Sequence, residues 1–212
     1  MDASFWRQKW EKNEIAFHES EPNPLLVKYF KELSLAKGSR VFLPLCGKTL
    51  DIGWLVSRGY RVAGAELSEI AVEQLFLELG MVPEISEMGG LHRYAAKNID
   101  LFVGDIFNLS GEMLGPVDAV YDRAALVALP QEMRNRYTAH LMRITGNAAQ
   151  LLVCYEYDQN LREGPPFAIR DEEVRRHYGN AYGLTLISSA DVPGGLRGKF
   201  PAKENVWLLR NN

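Results

Sequence analysis

The sequence predicts an α/β fold: a Rossmann-like, mostly parallel, seven-stranded sheet with a carboxyl-terminal antiparallel hairpin and helices on both faces. Three observations carry that prediction. From Gly38 onward short β-rich runs alternate with longer amphipathic stretches, the pattern of βαβ units. The first of these units read strand, loop, helix, strand, acidic residue, helix, the order of a nucleotide-binding half-sheet. Two further short runs at the carboxyl end, 184–189 and 205–209, suit an antiparallel hairpin that completes a mixed sheet. A chain of 212 residues with 47% hydrophobic side chains can bury one sizeable core, so a single domain over residues 1–212 is expected.

Residues 1–36 precede the sheet and read as an aromatic lid or cap. Phe5, Trp6, Trp10 and Phe17 stand among charges, and Pro22 and Pro24 introduce a helix over 25–33 with apolar positions at 25, 26, 29, 30 and 33. The first strand is 40–43, followed by the loop Pro44-Leu45-Cys46-Gly47-Lys48-Thr49 and a helix carrying Leu50, Ile52, Trp54, Leu55 and Val56. The second strand is 61–66. Ser68 caps the next helix, whose buried face is expected to hold Ile70, Val72, Leu75, Phe76 and Leu79 before Gly80 ends it. Residues 93–98 read as a hairpin edge and turn leading into a third strand at 99–103. A fourth strand spans 117–122; Pro130 opens a helix through Ile144 with Arg134 and Arg136 on its wet side, and 149–155 is the fifth strand.

Charge and cysteine usage exclude several function classes. The 24 Lys and Arg against 27 Asp and Glu leave a net charge of −3 without a basic stripe, so nucleic acid is not an expected partner. Cys46 and Cys154 lie far apart and no Cys/His ligand spacing occurs, so no metal site is expected and both thiols are read as reduced. The amino terminus lacks the apolar core of a secretory signal and no window approaches a membrane span, which gives the expectation of a cytoplasmic protein without membrane association.

Ligands of open α/β sheets bind beyond the carboxyl ends of the strands, which points to Pro44–Lys48, Glu66, Asp105-Ile106 and Asp122-Arg123. A carboxylate closing the second strand can accept both hydroxyls of a ribose, and Glu66 falls 19 positions after Gly47, near the interval expected for a ribose acid. A solvated glutamate at a helix start is the competing reading. Gly47-Lys48-Thr49 mimics a phosphate loop, but the earlier glycine that motif needs is replaced by Phe42, and the dinucleotide fingerprint is absent. No tyrosine is followed four residues later by lysine. A nucleoside without phosphate fits best, and S-adenosylmethionine is the commonest such cofactor on this architecture. Arg123 calls for an anion, either a ligand or a structural partner such as Asp122. The face shared by Trp6 and Trp10 suits either core packing or a cation such as sulfonium. The four histidines are isolated and none is assigned a catalytic role.

Several stretches together resemble the bacterial type of the thiopurine S-methyltransferase family from end to end: Phe5-Trp6 with Trp10 and Phe17-His18, Pro44–Lys48, Glu66-Leu67-Ser68, Gly104-Asp105, Tyr121–Leu126 and Gly164-Pro165-Pro166-Phe167. The resemblance implies a class I methyltransferase, S-adenosylmethionine as donor and S-adenosylhomocysteine as product. It implies Trp10, Leu45, Gly47, Glu66, Asp105, Ile106 and Arg123 around the cofactor, with Glu66 on the ribose and Asp105-Ile106 near the adenine. Arg123 is the implied catalytic arginine near the substrate, with Phe17 closing the site and Arg197 standing for a second arginine. Small aromatic thiols and selenium or tellurium species are the implied acceptors, and a monomer the implied state. Two other classes compete: amine methylation on the same fold, which the run Asp122-Arg123-Ala124-Ala125 disfavours because it lacks the Pro-Pro-aromatic motif, and a nucleoside-binding module without turnover.

Overall fold

A computed structural model describes residues 3–15 and 17–211; Met1, Asp2, Ala16 and Asn212 lie outside the described residues, and with them the outer limits of the expected 1–212 domain and 1–36 cap. The chain divides into two compact units, one up to Ala119 and one from Val120.

The first unit opens with helix α1 (Ala3–Glu11), then α2 (Pro24–Tyr29) continued by a 3-10 turn over Phe30–Leu33. Asn23 caps α2, its side chain accepting from the Leu25 and Leu26 N–H groups while its own N–H donates to Asp51 Oδ1 at 2.7 Å. Strand β1 (Arg40–Pro44) leads through the loop to α3 (Asp51–Ser57), and β2 (Arg61–Glu66) leads to α4 (Glu69–Glu78). The hairpin β3 (Glu84–Met88) and β4 (Leu91–Ala96) precedes β5 (Ile99–Val103) and the short helix α5 (Gly111–Leu114). Strand order here is β3-β4-β5-β2-β1; β1 and β5 both run parallel to β2, while β3 and β4 are antiparallel additions at the β5 side. Val62, Ala63, Leu101 and Phe102 are buried in the strands, as are Val72, Leu75 and Phe76 on α4, and the aliphatic burial makes these parallel strands near-continuous apolar runs.

The second unit takes up β6 (Ala119–Arg123) from its second residue, then a 3-10 turn at Leu126–Ala128, α6 (Gln131–Thr145), β7 (Ala149–Glu156), α7 (Asp171–Tyr178), β8 (Tyr182–Asp191) and β9 (Lys203–Asn211). Its strand order is β6-β7-β9-β8, with β9 antiparallel to both β7 and β8. The expected carboxyl-terminal hairpin is therefore present, longer at both strands than the sequence suggested.

Four expectations need correction. The described residues hold nine strands in a mixed arrangement rather than seven. β3 escaped because Glu84, Ile85, Ser86 and Glu87 are all exposed, leaving no period-two signal to read, and 91–96 is a full strand where a hairpin edge was expected. Arg134 is not on the wet side of α6: it is 5% exposed, with its Nε 2.6 Å from Glu173 Oε1 on α7. Ile70 is exposed rather than on the buried face of α4, because it sits in the first turn on the outer side. α7 itself went unread; its charged sequence, Asp171-Glu172-Glu173 at one end and Arg175-Arg176-His177 at the other, complements the helix dipole more than it advertises an apolar stripe.

Candidate active site

Parallel strands β1, β2 and β5 of the first unit end together, and three chain segments converge there. The Cys46 N–H donates to the Ala65 carbonyl at 3.0 Å, and the Gly104 N–H donates to the Glu66 carbonyl at 2.8 Å. Backbone pairing thus sets the Leu45–Lys48 loop and the Gly104-Asp105-Ile106 segment on either side of Glu66. The loop turns through two left-handed residues, Leu45 at φ +48° and Gly47 at φ +55°. A leucine in that region is disfavoured sterically, and such residues concentrate where a fold serves a ligand. Asp105 is exposed and caps the turn over Ile106–Asn108 by accepting the Phe107 N–H at 2.9 Å, while Ile106 is buried.

Glu66 is the electrostatic centre of this group. Its Oε2 accepts the Gly47 N–H at 2.7 Å and its Oε1 accepts the Ser68 N–H at 2.9 Å. Burial pushes its carboxyl above the ordinary range, and the backbone N–H groups of Ser68, Gly47 and Leu67 oppose that shift. A carboxylate offers about four lone-pair directions, so three backbone N–H donors leave it able to accept from one ligand hydroxyl. A ribose hydroxyl meets that need, so the residues present fit a nucleoside. Cys46, buried beside it, is pushed well up by burial and by the Glu66 charge, which makes its thiol inert.

The amino-terminal aromatics form one packed set against this loop. Trp6 and Trp10 stand one helical turn apart on α1, and the Phe17 ring meets both edge-on, at 5.7 Å from Trp6 and 5.6 Å from Trp10. Trp10 is 5% exposed, and a Cβ added to Gly47 would come 3.1 Å from its Cζ2 atom. Glycine at 47 is therefore required twice, by its left-handed backbone and by the indole above it. Trp10, Phe17, Leu45, Gly47, Glu66, Asp105 and Ile106 all belong to this first unit, and the chain of contacts from Phe17 through Trp10 and Gly47 reaches Glu66 directly.

Arg123 and Arg197 belong to the second unit. Arg123 ends β6 and is half-buried; Ala124 follows at φ +68°, and the chain turns into Leu126–Ala128. The Phe167 N–H donates to the Val127 carbonyl at 2.6 Å, which brings the Gly164–Phe167 run against that turn. Arg134 braces the same place, its guanidinium 5.6 Å from the Phe167 ring centre and its Nη1 donating to the Leu129 carbonyl at 2.8 Å. Arg197 is exposed, at φ +54° in the tight turn closed by the Leu196 and Phe200 bridge. Partial burial and the neighbouring Arg162 hold its guanidinium below the usual value, while Tyr155 and Tyr157 oppose the shift.

Asp122 and Tyr137 are the pair that sequence reading missed. Asp122 is fully buried, and Tyr137 donates its hydroxyl to Asp122 Oδ2 at 2.6 Å. The signal was available: Tyr137 lies on the apolar face of α6 with Leu141 and Ile144, and a buried tyrosine hydroxyl needs a partner. Among the described residues no cluster of three His, Cys, Asp or Glu is placed to hold a metal ion, both cysteines are free and buried, and no helix is long and apolar enough to cross a membrane.

Comparison with known proteins agrees with this geometry. The model of the thiopurine S-methyltransferase family matches residues 1–211. A thiopurine S-methyltransferase of Xanthobacter autotrophicus is 56% identical over 210 residues, 99% of this chain and 99% of that one. Its counterpart from Teredinibacter turnerae is 51% identical over 212 residues, 100% of this chain and 99% of that one. Among solved structures, magnesium protoporphyrin IX methyltransferase from Synechocystis PCC 6803, with bound S-adenosylmethionine, superposes with a TM-score of 0.65 at 15% identity, covering 100% of this chain and 98% of that one. The chain belongs to the thiopurine S-methyltransferase family, S-adenosylmethionine-dependent methyltransferases of Rossmann-like fold.

Proposed function

We propose that this chain methylates the sulfur of small aromatic or heterocyclic thiols, thiopurines among them, and extends to selenium or tellurium species. The observation that carries the donor half of the reading is the buried Glu66 carboxylate at the end of β2, held by backbone N–H groups alone and still able to accept from a ligand hydroxyl. Glu66 holds the ribose. Asp105 and Ile106 border the adenine, and Leu45, Gly47 and Trp10 line the rest of the donor's cradle. S-adenosylmethionine, when bound, supplies an electrophilic methyl group on a sulfonium.

The chain's own contribution is alignment and charge. An aromatic thiol is acidic enough to be largely thiolate near neutral pH, so no strong general base is needed, and none of the four histidines is called upon. Arg123 holds the anionic or polar heterocycle, because its planar guanidinium can bind such a group through two N–H donors. Phe17 and Trp10 exclude water from the donor side, which strengthens every charged contact there. Arg197 is assigned to the acceptor as a second cation: it is exposed, and Arg162, Tyr155 and Tyr157 are its neighbours. Holding both reactants within about 3–3.5 Å accounts for most of the acceleration. The scattered charge fits a small-molecule enzyme of the cytoplasm that works without nucleic acid or membrane, and the family resemblance suggests a monomer.

The test is incubation with labelled S-adenosylmethionine and a panel of aromatic thiols, selenols, and selenium and tellurium oxyanions. Methylated thiol is the expected product. Donor binding by calorimetry without any methylated product across the panel favours the nucleoside-binding module instead, and product from amines alone moves the chain to amine chemistry.

A further inference from the structure

We propose that Asp122 and Tyr137 are positioning residues for Arg123, holding the turn after β6 in the geometry that aims its guanidinium. The inference rests on the reading of Arg123 as the acceptor-binding arginine. Alternation along β6 sends successive side chains to opposite faces, so Asp122 enters the core, at 0% exposure, and Arg123 leaves it. The next residue, Ala124, adopts φ +68°, a region that a residue with a Cβ avoids unless its surroundings impose it. Asp122 supplies that imposition. Its Oδ1 accepts the Leu126 N–H at 3.1 Å, the Ala125 N–H also donates to it, and its Oδ2 accepts the Tyr137 hydroxyl at 2.6 Å. The carboxylate therefore ties both ends of the turn that carries Arg123 to helix α6.

The groups facing Asp122 are Tyr137 from α6, Tyr178 from α7 and Cys154 from β7, with Arg123 next to it in the chain. Burial raises the Asp122 carboxyl to about 6, against the opposing hydrogen bonds of Tyr137 and the two N–H groups. As pH falls through that value the carboxylate takes up a proton, its hold on the turn weakens, and methyl transfer declines with it. Removing the Tyr137 hydroxyl removes a contact that favours the charged form, so the acid limb of the rate profile moves to higher pH.

A double-mutant cycle tests this in the full-length enzyme, with kcat measured at saturating donor and an aromatic thiol that is already ionised at pH 5. Tyr137→Phe, checked by thermal unfolding to be folded, should lower kcat roughly fivefold beside Arg123 and by less than about 1.5-fold in the Arg123→Ala background, the signature of coupled residues. It should also shift the acid limb upward, which a loss of stability alone does not do. Equal losses in both backgrounds, or a wild-type kcat in Tyr137→Phe, overturn the proposal. An Arg123→Ala enzyme with wild-type kcat overturns the arginine reading itself, and the proposal with it, and is distinct from an additive cycle. If Tyr137→Phe does not fold, Asp122→Asn enters the same cycle with the same criteria, save that its acid limb should disappear.

Discussion

Glu66 and Asp122 are the same chemical group in the same topological place, a carboxylate at the carboxyl end of a strand, buried and raised above its ordinary value by that burial. They differ in what completes them. Glu66 is met by backbone alone, the N–H groups of Gly47, Ser68 and Leu67. Asp122 accepts backbone N–H groups and one reversible partner, the Tyr137 hydroxyl, which can donate or accept. Burial and a raised carboxyl therefore do not by themselves mark a ligand-binding acid. Access separates them: Glu66 keeps a small exposed area at 6%, whereas Asp122, at 0%, faces only the protein around it.

Substitutions by the neutral amide separate the two most sharply. Asparagine at 122 can still accept the Leu126 N–H with its neutral oxygen, more weakly than the carboxylate does, so Asp122→Asn should fold with the turn after β6 held less firmly. Asp122 binds its proton more tightly in the folded chain, at about 6 against 3.8, so the stability it contributes is present below pH 3.8 and is lost as pH rises through about 6. That difference of about two units corresponds to about 3 kcal/mol. Denaturant unfolding of Asp122→Asn should therefore gain on wild type by up to that amount between pH 4 and pH 8; a flat difference across this range would mean that the carboxylate carries no such burden. Next in size, Arg123→Ala should lower kcat/KM for an aromatic thiol by about 1.5–3 kcal/mol, on the order of 10- to 150-fold, with donor affinity changed much less.

Glutamine at 66 meets the opposite outcome. Wherever its NH2 points, it faces either the Gly47 or the Ser68 N–H, donor against donor, so Glu66→Gln should cost about 1–3 kcal/mol in stability and weaken S-adenosylmethionine binding roughly tenfold. Calorimetric titration with unchanged affinity would remove Glu66 from the ribose. The smallest effect is expected for Gly47→Ala, which forces a Cβ to 3.1 Å from Trp10 at a left-handed position and should cost about 1 kcal/mol. Pairing it with Trp10→Phe should recover part of the loss in thermal unfolding, since the steric half of the cost comes from the indole.

Much of this was legible before any coordinates. The alternation of strands and helices from Gly38, the Ser68 cap, the Gly80 stop and the place of Glu66 at the end of β2 are local signals, each written within a few residues. The parts that stayed hidden lack such a signal. β3 has no buried face to impose alternation, and the charged Arg134 reads as surface until Glu173 arrives from another helix to accept its protons. Adjacency makes Asp122 a candidate partner for Arg123, but nothing local to the chain announces Tyr137, 15 positions away, which donates to it.

The sequence by itself determined the family, the alternating elements from β1 to α4 and the residues at the ends of those strands, because propensity, capping and motif spacing act over short stretches of chain. Tertiary structure alone decided which buried carboxylate keeps an exposed edge, why an alanine at 47 would crowd Trp10, and how Tyr137 reaches the Arg123 turn. Those outcomes depend on which distant groups supply the last hydrogen bond or the last ångström of packing, and such partners are chosen by the folded arrangement of elements rather than by neighbours in the chain.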